Sequence, residues 1–156
     1  TYERPSGVGF MKTLGRHLIA EYYGCDSTVL NDSIDIEQAM CDAATVMGAT
    51  IVGKTFHHFS PQGVSGTVVI AESHLSIHTW PEKGYVAVDI FTCGGLDPSL
   101  GFEYLGEILK AGSGRVQEIL RGLPEDLEGQ TIGPDDIQVI TTMATEIKLR
   151  QVEVAA

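Results

Sequence analysis

Two neighbouring stretches, His74 to Thr79 and Gly84 to Thr92, alternate polar and apolar residues, and Pro81 breaks the chain between them. A period of two is what a half-buried strand requires, because successive side chains point to opposite faces. On the first stretch His74, Ser76 and His78 share one face. On the second, Val86, Val88 and Ile90 share one face and Asp89, Phe91 and Cys93 share the other. The short connection from Pro81 to Gly84 makes these strands neighbours. The pair predicts a sheet with one apolar face, and a second face that gathers hydroxyl, imidazole and thiol groups.

The rest of the chain fits around that sheet. Leu14 to Tyr23 is apolar and aromatic and reads as a first strand. Asn31, Asp32 and Ser33 offer N-cap chemistry. Behind them Ile36, Met40, Ala43 and Met47 recur at helical spacing, and Gly48 closes that helix. Thr50 to Phe59 reads as a strand, Pro61-Gln62-Gly63 as a turn, and Ser65 to Ala71 as another strand. Asp97 followed by Pro98 starts a second helix, with Phe102, Leu105 and Leu109 as its buried stripe. Arg115 to Leu120 is one more strand. The order predicts an α+β two-layer sandwich, an antiparallel sheet with helices on one face. The other face must be polar or covered, and dimerisation through it follows naturally. Gly122 to Gly133 is acidic and turn-rich like a loop, and Ile137 to Val154 reads as a further hairpin or short elements. Residues 1–10 carry no fold assignment.

The chain has 156 residues, 43% hydrophobic and 20% charged, which suits a single domain with a real core. The formal net charge of −11 argues against a nucleic-acid binder and against attraction to an anionic membrane. Cys25, Cys41 and Cys93 are an odd number at irregular spacing, not a disulfide framework. No secretory signal and no apolar run of bilayer length is visible, so a cytoplasmic, reducing location is the default expectation.

Three readings compete for the polar cluster between Ser65 and Cys93. Each Ser or His is, taken singly, most often a solvated or hydrogen-bonded strand residue. A metal site fails on distance, because His74 and His78 on one strand lie roughly 13 Å apart, and the metal expectation is none. A Ser–His nucleophile pair is conceivable, yet no Gly-x-Ser-x-Gly elbow is present and Cys93 is left without a part.

Longer motifs narrow the choice. The run Val69-Ile70-Ala71-Glu72-Ser73-His74-Leu75-Ser76-Ile77-His78-Thr79-Trp80-Pro81-Glu82 closely resembles the processing-site signature of prokaryotic S-adenosylmethionine decarboxylases. Leu14-Gly15-Arg16-His17-Leu18 extends the resemblance, as do Phe56-His57-x-Phe59-x-Pro61-x-Gly63-Val64-Ser65-Gly66 and Asp89-x-Phe91-Thr92-Cys93-Gly94. The match runs over about residues 11–121 as a core, leaving 122–156 as a C-terminal extension of the one domain.

The resemblance implies a proenzyme that cleaves itself between Glu72 and Ser73 into a β chain, 1–72, and an α chain, 73–156. Ser73 becomes a covalent pyruvoyl cofactor, which holds the substrate amine as a Schiff base and acts as an electron sink. Ser65 is implied as the hydroxyl that stabilises the processing intermediate, and His78 as the base that removes the Ser73 α-proton. Cys93 is implied as the proton donor to the substrate α-carbon. Glu82 is implied as the carboxylate that accepts from the ribose hydroxyls, and Phe59 as a pocket wall facing the sulfonium. The substrate would be S-adenosylmethionine and the product an aminopropyl donor for spermidine synthesis. Relatives of this short type work as homodimers with sites at the interface.

Some positions depart from the pattern. His58 stands where Arg is expected, Lys83 stands where an aromatic residue is commoner, and Gly95 lies outside the familiar core. Lys83 keeps open a related pyruvoyl decarboxylase of arginine or ornithine. A processing-dead regulatory homolog is the reading from another class, although Ser65, Ser73, His78 and Cys93 are all present.

Overall fold

The computed structural model describes residues 13–71 and 73–122. The turn-rich segment from residue 123, the hairpin expected over Ile137 to Val154, and Glu72 lie outside the described residues. The elements in order are β1 (Gly15–Tyr23), α1 (Ser27–Leu30), α2 (Ser33–Val46), β2 (Ile51–His58), β3 (Val64–Ile70), β4 (Ser73–Trp80), a 3-10 turn (Pro81–Lys83), β5 (Tyr85–Cys93), α3 (Pro98–Ile108) and β6 (Ser113–Arg121). The strands form one antiparallel sheet in the order β2-β3-β4-β5-β1-β6. No helix among the described residues is long and apolar enough to cross a membrane.

Local chemistry starts and stops the helices as expected. Asp32 caps α2 by accepting from Ile34 N and Asp35 N, and Gly48 leaves the helix at φ 81°. Asp97 caps α3, with Pro98 in its first turn. Sequence periodicity missed the four-residue α1. It is too short to show a period, and it stands on Asp26, which accepts from Thr28 N and Val29 N.

The core lies between the helices and one face of the sheet. Ile36, Met40 and Ala43 of α2 and Phe102 and Leu105 of α3 pack on Leu18, Val68, Leu75, Ile77, Val88 and Ile90. Full burial of such a side chain is worth about 1.5–3 kcal/mol. A one-residue slip of β4 would expose Leu75 and Ile77 and bury His74, Ser76 and His78. The apolar pattern therefore locks the register, and the register sets how far apart the functional groups stand.

Gly66 on β3 shows how tight this layer is. A Cβ there would sit 2.0 Å from the Phe56 ring. Gly66→Ala must displace Phe56, and we expect it to lower stability by about 1–3 kcal/mol, measured by urea unfolding. An unchanged midpoint would mean that the ring moves freely.

Candidate active site

The second sheet face carries the groups with chemistry, in rows fixed by strand register. One row runs His57, Ser65, His78, Ala87, Glu21, Arg115 from β2 to β6. The next runs Thr55, Thr67, Ser76, Asp89, Ile19, Gln117, and a third includes Val69, His74, Phe91, His17 and Ile119. Cys93, Gly15 and Arg121 form the last.

At one end, Ser65 and His78 are direct register partners. Ser65 Oγ lies 2.7 Å from His78 Nδ1, a full hydrogen bond. Phe59, just beyond β2, meets the His57 ring edge-on with centroids 4.6 Å apart. Glu82 sits on the 3-10 turn after β4 and accepts from Gln62 Nε2 at 3.1 Å. Gln62, Glu82, Asn31 and Pro81 line an open cleft of about 600 Å³. At the start of β5, Tyr85 donates to Glu21, and burial, followed by that carboxylate, pushes its phenol up to about 12.

At the other end, Ser73 opens β4 and Cys93 closes β5. Ser73 pairs with Thr92, the residue before Cys93, and Cys93 is a free, half-buried thiol. Ser73 has φ 147°, backbone territory that belongs almost entirely to glycine and carries about 1–3 kcal/mol of strain. The strands β3 and β4 pair up to Ile70 and Ser73, so only Ala71 and Glu72 join them. Ser73 therefore opens β4 directly after a two-residue connection.

The two ends do not meet within one chain. Five residue steps along extended β4 separate Ser73 from His78, about 16 Å at the rise of a strand. Ser73 also falls on the register of Ile70 and Thr92, two buried residues of the helix-covered side. The face does gather hydroxyl, imidazole and thiol groups, as the alternation predicts, but spreads them along the full strand. Ser65 and His78 are hydrogen-bonded, Ser73 and Cys93 are only neighbours in register at the other strand end, on opposite faces, and neither pair reaches the other.

Between them lies a network with no local sequence signal, because its partners come from different strands. Ser76 donates to Asp89 at 3.0 Å. His17 Nε2 stands 3.3 Å from the same carboxylate but is too poorly aligned for a hydrogen bond. Burial lowers the His17 pKa most, Arg121 and His74 push the same way, and Asp89 opposes them. Arg121 lies over the Phe91 ring at 5.0 Å. The departing residue His58 contacts Asn31 Oδ1 at 3.1 Å. Among the described residues no group of three or more His, Cys, Asp or Glu side chains is placed to hold a metal ion.

Fold and site together define an α+β sandwich enzyme with hydroxyl, imidazole and thiol groups on one sheet face. Residues 16–122 match the family model described as S-adenosylmethionine decarboxylase. The S-adenosylmethionine decarboxylase proenzyme of Thermosipho africanus is 52% identical over 130 residues, 83% of this chain and 100% of that protein. The proenzyme of the same name from Thermotoga maritima is 57% identical over 125 residues, 74% of this chain and 95% of the relative. The crystal structure of the adenosylmethionine decarboxylase from Aquifex aeolicus superposes with a TM-score of 0.67 at 36% identity, over 76% of this chain and 99% of that one. The chain belongs to the S-adenosylmethionine decarboxylase family.

Proposed function

We propose that this protein is a self-cleaving decarboxylase of S-adenosylmethionine. We further propose that it works in the cytoplasm as a homodimer, each site taking residues from both chains. One observation carries the reading: the Ser65–His78 pair lies at one end of β4, and Ser73, beside the Cys93 end of β5, lies at the other. A twofold axis between two such faces, running across the strands near Ser76 and Asp89, lays each end of one sheet over the other end of its partner. Sheets packed face to face lie about 10 Å apart, a gap that side chains from both faces span.

In cleavage, Ser73 Oγ attacks the Glu72 carbonyl carbon, and the peptide nitrogen leaves, so the amide becomes an ester. One tautomer of the Ser65–His78 pair serves both remaining needs. With its proton on Nδ1, the His78 ring donates to Ser65 Oγ. The Ser65 O–H of the partner subunit is then free to donate to the developing oxyanion. His78 Nε2 of the partner subunit is free to take the Ser73 α-proton, and the ester C–O bond breaks to release Glu72 as a carboxylate. The dehydroalanine at position 73 tautomerises to an imine, and water replaces its nitrogen, which departs as ammonia. The strained φ of Ser73 fits this outcome, since loss of the residue's nitrogen removes the N–Cα torsion that holds the strain.

The pyruvoyl group supplies a ketone that takes up the substrate amine and draws electrons from the bond to its carboxylate. Cys93 stands at the same end of the sheet to return a proton to the substrate α-carbon. Glu82 of the partner subunit accepts from the ribose hydroxyls, and Phe59 of the partner subunit offers its ring face to the sulfonium. Three free thiols suit a reducing compartment.

Intact mass spectrometry under denaturing conditions tests the reading. Two fragments that meet between residues 72 and 73, the second with a blocked amino terminus, and release of carbon dioxide from S-adenosylmethionine are expected. A chain that stays whole through long incubation overturns it.

A further inference from the structure

We propose that Gln62 is a positioning residue that presets the Glu82 carboxylate for the substrate's ribose. The inference rests on the reading of Glu82 as the ribose-binding group. Gln62 Nε2 donates to Glu82 Oε2 at 3.1 Å, which leaves Oε1 and the remaining lone pairs free to accept two hydroxyls.

Both residues are exposed, and an exposed hydrogen bond on mobile side chains contributes little. Here the two backbones are fastened to one another. Gly63 N donates to Asn31 Oδ1 at 3.0 Å, and Phe59 N donates to Gly63 O at 2.8 Å, so the loop carrying Gln62 is closed on both sides. Gly63 has φ 101°, and a Cβ on it would lie 3.1 Å from Thr79 O and 3.9 Å from Pro81 Cδ. The loop thus rests directly on the turn that carries Glu82. That turn is closed by Gly84 N donating to Pro81 O at 3.1 Å and tied to the chain before α1 by Cys25 N donating to Gly84 O at 3.0 Å. Thr79 Oγ accepts from Val64 N and donates to Leu30 O, both at 2.8 Å, joining both turns to the same corner. With both anchors rigid, little freedom is lost when the amide meets the carboxylate, and Glu82 is held in one orientation at the mouth of the cleft.

The test is steady-state decarboxylation of S-adenosylmethionine by the full, processed protein. Gln62→Ala is expected to raise KM about tenfold, as loss of a hydrogen bond to a charged group does, while kcat and the extent of self-cleavage stay as they were. Gln62→Met, which keeps the volume and removes the donor, is expected to match it and guards against a folding defect. In a Glu82→Ala background, Gln62→Ala is expected to do nothing further, because it acts through Glu82. Additive effects would mean that Gln62 meets the substrate itself and would overturn the proposal. A raised KM for Glu82→Ala with both Gln62 variants unchanged also overturns it. An unchanged KM for Glu82→Ala instead sinks the ribose-binding reading beneath it.

Discussion

Ser73→Ala leaves the chain whole and abolishes decarboxylation altogether. Alanine has no oxygen to attack the Glu72 carbonyl, so no ester forms, no bond breaks, and no ketone is left at the start of β4. The remaining fold should be undisturbed, since Ser73 sits at a strand end and loses only its hydroxyl. Circular dichroism and the unfolding midpoint therefore stay close to those of the parent chain, while mass spectrometry shows one species and carbon dioxide release falls to background. A variant that still splits after residue 72, or still turns over substrate, would remove Ser73 from the chemistry.

The second expected result concerns where the site lies. His78→Ala alone and Ser73→Ala alone are each uncleaved and inactive. When the two are co-expressed, the His78→Ala chain becomes cleaved and activity returns. In the mixed dimer, Ser73 of the His78→Ala chain faces the intact Ser65–His78 pair of the Ser73→Ala chain. Random pairing puts about half of the dimers in this state, each with one complete site of two, so about a quarter of the parent activity is expected. If instead each chain completed its own site, mixing two dead chains would restore nothing. Complete silence of the mixture, with dimers verified by gel filtration, would refute the shared site. The roughly 16 Å between Ser73 and His78 along β4 is the reason to expect recovery.

Much of the fold was legible in the chain because local chemistry and the sheet agree. Alternation marked β4 and β5 to within a residue or two, Asp32 and Asp97 marked the helix starts, and Gly48 marked a helix end. These signals are local, so a linear reading catches them. The helix α1 escaped because four residues cannot show a period, and its cap needs only Asp26. The contacts Gln62–Glu82, Asn31–Gly63 and Ser76–Asp89 escaped for another reason: each joins residues 13 to 32 apart that only sheet register and loop closure bring together.

The residue types needed for the chemistry, and the period that builds a sheet to carry them, were set by the sequence alone. Ser65, Ser73, His78 and Cys93 could be named from their motifs, and the face of His78 and Cys93 from alternation. What tertiary structure decided was distance. An extended strand rises about 3.3 Å per residue, and the buried Leu75 and Ile77 prevent β4 from slipping to shorten the gap. That places Ser65 and His78 at one end of the strands and Ser73 and Cys93 at the other, a separation no motif reveals because motifs record order along the chain and not reach across a sheet.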